Sequence, residues 1–132
     1  MILFVDTSAL IAVLDADDEF HTPAKTYWTE ANCVETIWTT SNYLVLEAFA
    51  VIQRRLGMQA VTVFLHDVLP VINVEWLDVA IHNVGVTALT TAQRRDLSLV
   101  DCTSFALMRH LGIRQAFTFN RHFAEQGFIC LP

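Results

Sequence analysis

Positive charge is scarce in this 132-residue chain. Eight lysines and arginines stand against fourteen acidic residues, for a net charge of −6. A protein that coats nucleic acid through its phosphates needs a basic face, so that class is excluded. An enzyme that grips a phosphodiester through bound cations and a few arginines is not, and the acidity also suits a basic protein partner. Four glycines and three prolines form no linker, and there is no repeat or low-complexity tract. One domain spanning residues 1–132 is therefore expected. The three cysteines, Cys33, Cys102 and Cys130, are odd in number and lack a Cys-x-x-Cys pair, so reduced thiols are expected. The five histidines are scattered without zinc-ligand spacing. No apolar run is long enough to span a bilayer, and no basic segment precedes the first apolar run. The expectation is a soluble cytoplasmic protein without membrane contact.

Apolar residues, in contrast, make up 54% of the chain, enough for a real core. Ile2–Val5 is a short continuous apolar run that suits a central strand of a parallel sheet. Thr7 or Ser8 is read as the cap of a helix over 9–14, and Thr22-Pro23 as the start of a second helix to about Ala31. A strand is expected over 34–39. Ser41 then caps a long helix stopped by Gly57. Further helices are expected over 59–69, 77–89 and from Asp96 or Ser98 to Gly112, with a short one over 120–125. Strands are expected over 71–74, 116–119 and 128–131. Strands alternating with helices predict an α/β fold with a parallel sheet flanked by helices. Sites in such folds gather at the carboxyl ends of the strands.

Three acids stand in apolar surroundings: Asp6 after Ile2-Leu3-Phe4-Val5, Glu47 within Leu44-Val45-Leu46-Glu47-Ala48-Phe49, and Asp101 within Leu97-Ser98-Leu99-Val100-Asp101-Cys102. An uncompensated charge in such a setting costs several kcal/mol. A shared hard cation, Mg2+ or Mn2+, would compensate all three through oxygen ligands. Each acid also has a structural alternative. Asp6 can cap the following helix, Glu47 can pair with an arginine, and Asp101 can lie on a solvated helix face. Phosphodiester hydrolysis is the chemistry that uses such a gathering, because carboxylate-held cations activate water and stabilise the attacking and leaving oxygens.

The segments Phe4-Val5-Asp6-Thr7-Ser8-Ala9, Glu47 in the long third helix, Leu97 to Ala106 around Asp101, and Ala116-Phe117-Thr118-Phe119-Asn120-Arg121-His122-Phe123 occur in order across the chain. In them the sequence resembles PIN-domain ribonucleases of the VapC type, the toxins of VapBC toxin–antitoxin pairs. The resemblance implies a PIN-like three-layer sandwich and Mg2+- or Mn2+-dependent endoribonuclease activity on single-stranded or looped RNA. It implies metal binding by Asp6, Glu47 and Asp101. The family's usual fourth acid is matched by Asn120, a departure that removes a charge and weakens the case for a second ion. Thr7, Ser8, Ser104 and Thr118 match hydroxyl positions beside the acids, of which Ser8 and Thr118 are taken as site residues. Thr7 and Ser8 are equally natural caps, and Ser104 can bond back into its helix. Arg95 and Arg121 are candidate phosphate ligands. Arg54 and Arg55 are assigned to a helix dipole or dimer face, and Arg109 and Arg114 to solvated surface. A small antitoxin and a homodimeric state are further implications. The rival readings are a PIN-fold binding module whose catalysis faded with Asn120, and a small-molecule phosphohydrolase. The latter commonly needs a second Asp two residues after the first, where this chain has Ser8.

Overall fold

The computed structural model describes residues 1–132. Five strands form one parallel sheet in the order β3-β2-β1-β4-β5. They are β1 (Ile2–Val5), β2 (Ile37–Ser41), β3 (Ile72–Glu75), β4 (Gln115–Phe117) and β5 (Ile129–Leu131). Strand β1 is central, with Phe4 registered against Thr39 of β2 and Ala116 of β4. Successive side chains of a strand point to opposite faces, yet Leu3, Phe4 and Val5 are all fully buried. Both faces of the sheet are therefore covered, as parallel sheets require.

The cover comes from the connecting helices: α1 (Thr7–Leu14), α2 (His21–Asn32), α3 (Asn42–Leu56), α4 (Met58–Val63), α5 (Val79–Ala92), α6 (Leu99–Leu111) and α7 (His122–Glu125). The chain winds outward from β1 to β3 on one side, then returns to lay β4 and β5 on the other. The direction of winding reverses beside β1, and a crevice opens at the carboxyl ends there. Asp6 ends β1 at that point, and Thr118 to Asn120 follow β4 beside it.

Several boundaries differ from the sequence reading for identifiable reasons. Asp6, rather than Thr7 or Ser8, caps α1, so that helix begins at Thr7. Helix α2 starts at His21, ahead of Thr22, because Pro23 still falls in the first turn, where no backbone donor is needed. The single helix expected over 59–69 changes character. A π-helical turn over Phe64–Val68 and a 3-10 turn over Leu69–Val71 follow α4, placing Phe64 and Val68 in the core. Asp78 caps α5 by accepting from the Ile81 amide at 2.9 Å. Strand β4 stops at Phe117, so Thr118 and Phe119 lie beyond it. Arg109 is exposed, as expected, and also has local contacts. Its guanidinium lies 5.2 Å from the Phe128 ring centroid and donates to Gln126 Oε1 at 2.8 Å.

Helices α5 and α6 meet at Gly85. A methyl group there would fall 2.4 Å from Thr103 Cγ2 and 3.2 Å from the Thr103 backbone. Thr103 cannot easily turn away, since its hydroxyl bonds to the Leu99 and Val100 carbonyls. Gly85→Ala gains up to about 1 kcal/mol of helix propensity but overpacks this crossing, at about 1–3 kcal/mol. Net destabilisation of about 1–2 kcal/mol is expected by urea unfolding. Adding Thr103→Ser, which deletes Cγ2, should recover most of it. Full additivity of the two changes would show that this contact is not the constraint.

Candidate active site

The site is built on one carboxylate. Asp6 is 5% exposed, and its backbone N–H donates to the Phe117 carbonyl at 3.1 Å. Its Oδ2 accepts from the Ser8 hydroxyl at 2.6 Å, the Thr118 hydroxyl at 3.0 Å and the Ser8 amide at 3.3 Å. Each hydroxyl has one proton, and both protons are committed to Asp6. Their remaining capacity accepts the amides that follow β4, Phe119 N–H to Ser8 Oγ and Asn120 N–H to Thr118 Oγ1, each at 3.0 Å. The 3.2 Å approach of the two hydroxyls is thus a consequence of their shared acceptor. None of these bonds uses Asp6 Oδ1. Burial pushes the Asp6 carboxyl up to about 6, the Ser8 and Thr118 hydrogen bonds hold it down in part, and the Asp101 charge adds a further upward push.

Asp101 occupies the third position of α6 in a reciprocal cap. Ser98 Oγ accepts the Asp101 amide at 3.0 Å, and Asp101 Oδ2 accepts the Ser98 amide at 3.2 Å. Asp101 is only partly buried, so its first-turn capping role holds together with its place in the site. Its Oδ1 accepts from Asn120 Nδ2 at 3.3 Å, while Asn120 Oδ1 accepts the His122 amide at 3.0 Å and starts α7. An aspartate at 120 would set carboxylate against carboxylate; the amide substitutes a hydrogen bond for that repulsion.

Asp6, Ser8, Glu47, Asp101 and Asn120 all line one cleft of about 350 Å³. Thr118 stands behind Asp6. Glu47 makes no ion pair and comes from α3 with Val51 and Arg55, the next two positions on the same helical face. Arg55 is the cleft's only arginine or lysine. Spacing from Glu47 was the available signal for it, overlooked in favour of its place at the helix end. Arg95 and Arg121 do not line the cleft. Arg95 sits exposed on the α5–α6 connection, and Arg121 precedes α7 facing solvent. Beside Arg95, Arg94 clamps Asp96 at 2.7 Å and Glu125 at 3.0 Å, so Asp96 serves this clamp and does not line the cleft. Arg94 holds the Asp96 carboxyl below its usual range, and His122, followed by Arg94, does the same for Glu125. Ser104 does not bond back into its helix; its buried hydroxyl and that of Thr7 have no protein partner. Asp18, Glu19, Phe20 and Phe119 also line the cleft, and the sequence reading placed none of them there.

The donors facing the cleft are oxygens, which suit a hard cation and not zinc. No three carboxylate, imidazole or thiolate side chains converge tightly enough to enclose an ion alone. Mg2+ is commonly held by one or two carboxylates with water and phosphate completing its shell, and this donor set fits that pattern.

The raised Asp6 value has a defined consequence for stability. A carboxyl whose folded value lies above its ordinary 3.8 costs nothing when both states are protonated. The cost grows as pH rises through the interval from 3.8 to about 6 and is complete above it. A shift of that size corresponds to about 3 kcal/mol. In EDTA, Asp6→Asn should therefore stabilise the protein by about 1–3 kcal/mol at pH 7.5, since an amide can still accept from Ser8. The gain should shrink towards zero near pH 4. Urea unfolding at both pH values checks this; a pH-independent difference would contradict it.

The PIN domain family model matches residues 3–129. The chain is 33% identical over 128 residues to the 23S rRNA-specific endonuclease VapC20 of two Mycobacterium tuberculosis strains, covering 96% of this chain and 95% of that protein. The crystal structure of M. tuberculosis VapC20, a sarcin-ricin loop cleaving toxin, superposes with a TM-score of 0.86 at 32% identity. The match covers 98% of this chain and 97% of that one. FitAcB from Neisseria gonorrhoeae (TM-score 0.70, 14% identity, 100% and 97% coverage) shares the fold. So does VapBC2 from Rickettsia felis, bound to a DNA fragment from their promoter (0.72, 11%, 98% and 97%). The α/β sandwich expected from the sequence is the observed one, and the chain belongs to the PIN domain family.

Proposed function

We propose that this protein is a metal-dependent endoribonuclease that hydrolyses phosphodiester bonds of single-stranded or looped RNA, acting as the toxin of a toxin–antitoxin pair. The observation that carries this reading is the meeting of Asp6, Glu47, Asp101 and Asn120 in one cleft. The endonuclease to which the chain is 33% identical over nearly its whole length supports it.

Asp6, whose Oδ1 is free of the hydrogen bonds described above, would hold Mg2+ or Mn2+ together with Asp101 and Glu47, with water completing the shell. When bound, such a cation supplies the positive charge that acidifies water and offsets charge building at phosphorus. Ser8 and Thr118 act through Asp6, fixing its carboxylate so that one oxygen faces the cleft. Arg55 holds a phosphate of the strand, a task its planar fork suits. Water attacks phosphorus in line and the P–O3′ bond breaks, leaving a 5′-phosphate and a 3′-hydroxyl. Asn120 bridges to Asp101 without adding charge, so a single cation is proposed.

A small antitoxin partner and a homodimer complete the proposal. An apolar groove formed by Val45, Phe49, Leu69 and Val74 is flanked by Leu46, 72% exposed, and Trp76, 80% exposed. An apolar patch of that kind marks an interaction surface. No helix is long and apolar enough to cross a membrane; a cytoplasmic location beside RNA belongs to the same proposal.

Cleavage of a fluorogenic single-stranded or looped RNA by partner-free protein tests the reading, with Mn2+, Mg2+ or EDTA. Cleavage should need the metal and fall by at least about 100-fold in Asp101→Asn, whose amide can keep the Ser98 cap. Equal cleavage by both proteins would defeat the assignment. Arg55→Ala should raise KM several-fold at low salt, by a smaller factor at higher salt because the variant has one phosphate contact fewer for salt to weaken; an unchanged KM would remove Arg55 from the phosphate path.

Asn120 also favours the second reading, a binding module with faded catalysis, and Asn120→Asp separates the two. With a competent three-acid site, the variant should change cleavage by less than about tenfold. It should also lose about 1–3 kcal/mol of stability in EDTA from the unpaired, repelling carboxylate. A gain far above tenfold would mean that the present chain is a decayed nuclease.

A further inference from the structure

We propose that the outer face of Phe20 is a stacking platform for one unpaired nucleobase next to the scissile phosphate; this rests on the ribonuclease reading above. Phe20 lies in the connection between α1 and α2 and lines the cleft with Asp6 and Asp101. It is 39% exposed, on a segment otherwise acidic: Asp15, Asp17, Asp18 and Glu19 precede it. The ring is not loose. It stacks on Phe119 with centroids 4.6 Å apart and planes 6° from parallel. Its amide donates to Asp18 Oδ1 at 2.8 Å, and its carbonyl accepts the Ala24 amide at 3.0 Å.

Phe119 in turn is pinned to the site. Its amide donates to Ser8 Oγ, the hydroxyl that bonds Asp6, and the next residue is Asn120. On its other side Phe119 meets the edge of fully buried Phe117, with centroids 6.3 Å apart. Phe117 then continues to Trp38 in the core. The aromatic series thus runs from the core to the cleft and ends on an open face at Phe20. A base presents a π-face whatever its identity, and stacking on an aromatic ring captures it without sequence readout. The neighbouring acids repel phosphate but not a neutral base. They direct the base towards this wall and the strand's phosphates towards Arg55 on α3.

The test uses a stem-loop RNA whose cleavage point is first mapped with the active full-length protein. Single abasic positions are then walked through the loop, and affinity for the full-length Asp101→Asn protein is measured at fixed salt. One abasic position beside the cleavage point should weaken binding by roughly 5- to 100-fold. Phe20→Leu should weaken binding of intact RNA by a similar factor and show no further loss at that position, the non-additivity of a direct contact. Phe20→Tyr should restore it. In the active protein Phe20→Leu should raise KM with little change in kcat, and thermal unfolding should confirm that the variant is folded. Unchanged affinity and KM in a folded Phe20→Leu protein would overturn the platform and leave the nuclease standing. Additive losses from the two changes would also overturn it, as would lost affinity for an antitoxin with RNA binding intact, which would assign the ring to a protein contact. Failure of the parent protein to bind or cleave RNA would overturn both readings.

Discussion

The buried Asp6 carboxylate is the tie on which the rest of the site depends. It closes the end of β1, caps α1 and draws the hydroxyls of Ser8 and Thr118 onto one oxygen. Those hydroxyls then receive the amides of Phe119 and Asn120, so the segment after β4 is positioned by the same group. A neutral residue with a shorter side chain would leave both hydroxyls and two amides seeking partners in a poorly hydrated crevice, each at about 1–3 kcal/mol. The arrangement also explains the asymmetry of the carboxylate: one oxygen is consumed by structure and the other is left for chemistry. Structural and functional accounts of Asp6 are therefore not rivals.

Asp101 repeats the pattern at lower burial. Its Oδ2 completes a helix cap and its Oδ1 meets Asn120. The Asn120 amide is oriented by its own network: its oxygen takes the His122 amide, which leaves its nitrogen for Asp101. The Asp101 charge already raises the proton affinity of Asp6 here, on top of burial. A third carboxylate at position 120 would deepen that conflict whenever no cation is bound. The amide thus favours the free protein and gives up charge that a second cation would need. On the proposed metal-dependent reading, stability without metal and capacity for metal would trade against each other at this residue.

The layered α/β arrangement was legible because its signals are local and strong. An apolar run ended by Asp6 reads as a central strand, and Ser41 and Gly57 bracket α3 in both sequence and structure. The three acids were legible because charge among apolar neighbours is costly. What escaped depends on long-range geometry. Phe20 in an acidic loop carries no local mark of its stack on Phe119, ninety-nine residues later in the chain. Arg55 was spaced correctly from Glu47 but also satisfied the rule for a cationic helix end, and propensity could not rank the two. The π-turn at Phe64–Val68, which carries the buried Phe64 and Val68, has no sequence signature. Arg95 and Arg121 were attractive for their closeness in sequence to Asp101 and Asn120, but they sit exposed on the segments leading into α6 and α7, outside the lining of the cleft.

Overall acidity and the proposed RNA cleavage are reconciled by where the charges lie. The cleft gathers Asp6, Asp18, Glu19, Glu47 and Asp101 around one arginine, a field that repels a polyanion. Such a site cannot rely on long-range attraction, as basic nucleic-acid binders do. On the proposed reading it would take its substrate through short-range terms: the charge of a cation that Asp6, Glu47 and Asp101 would hold, one guanidinium fork, and stacking that is indifferent to charge. The repulsion then becomes selective. A strand that cannot present an unpaired base and a correctly placed phosphate together gains too little to offset it. On the proposed reading, the scarcity of basic residues would be part of how the cleft discriminates among RNAs.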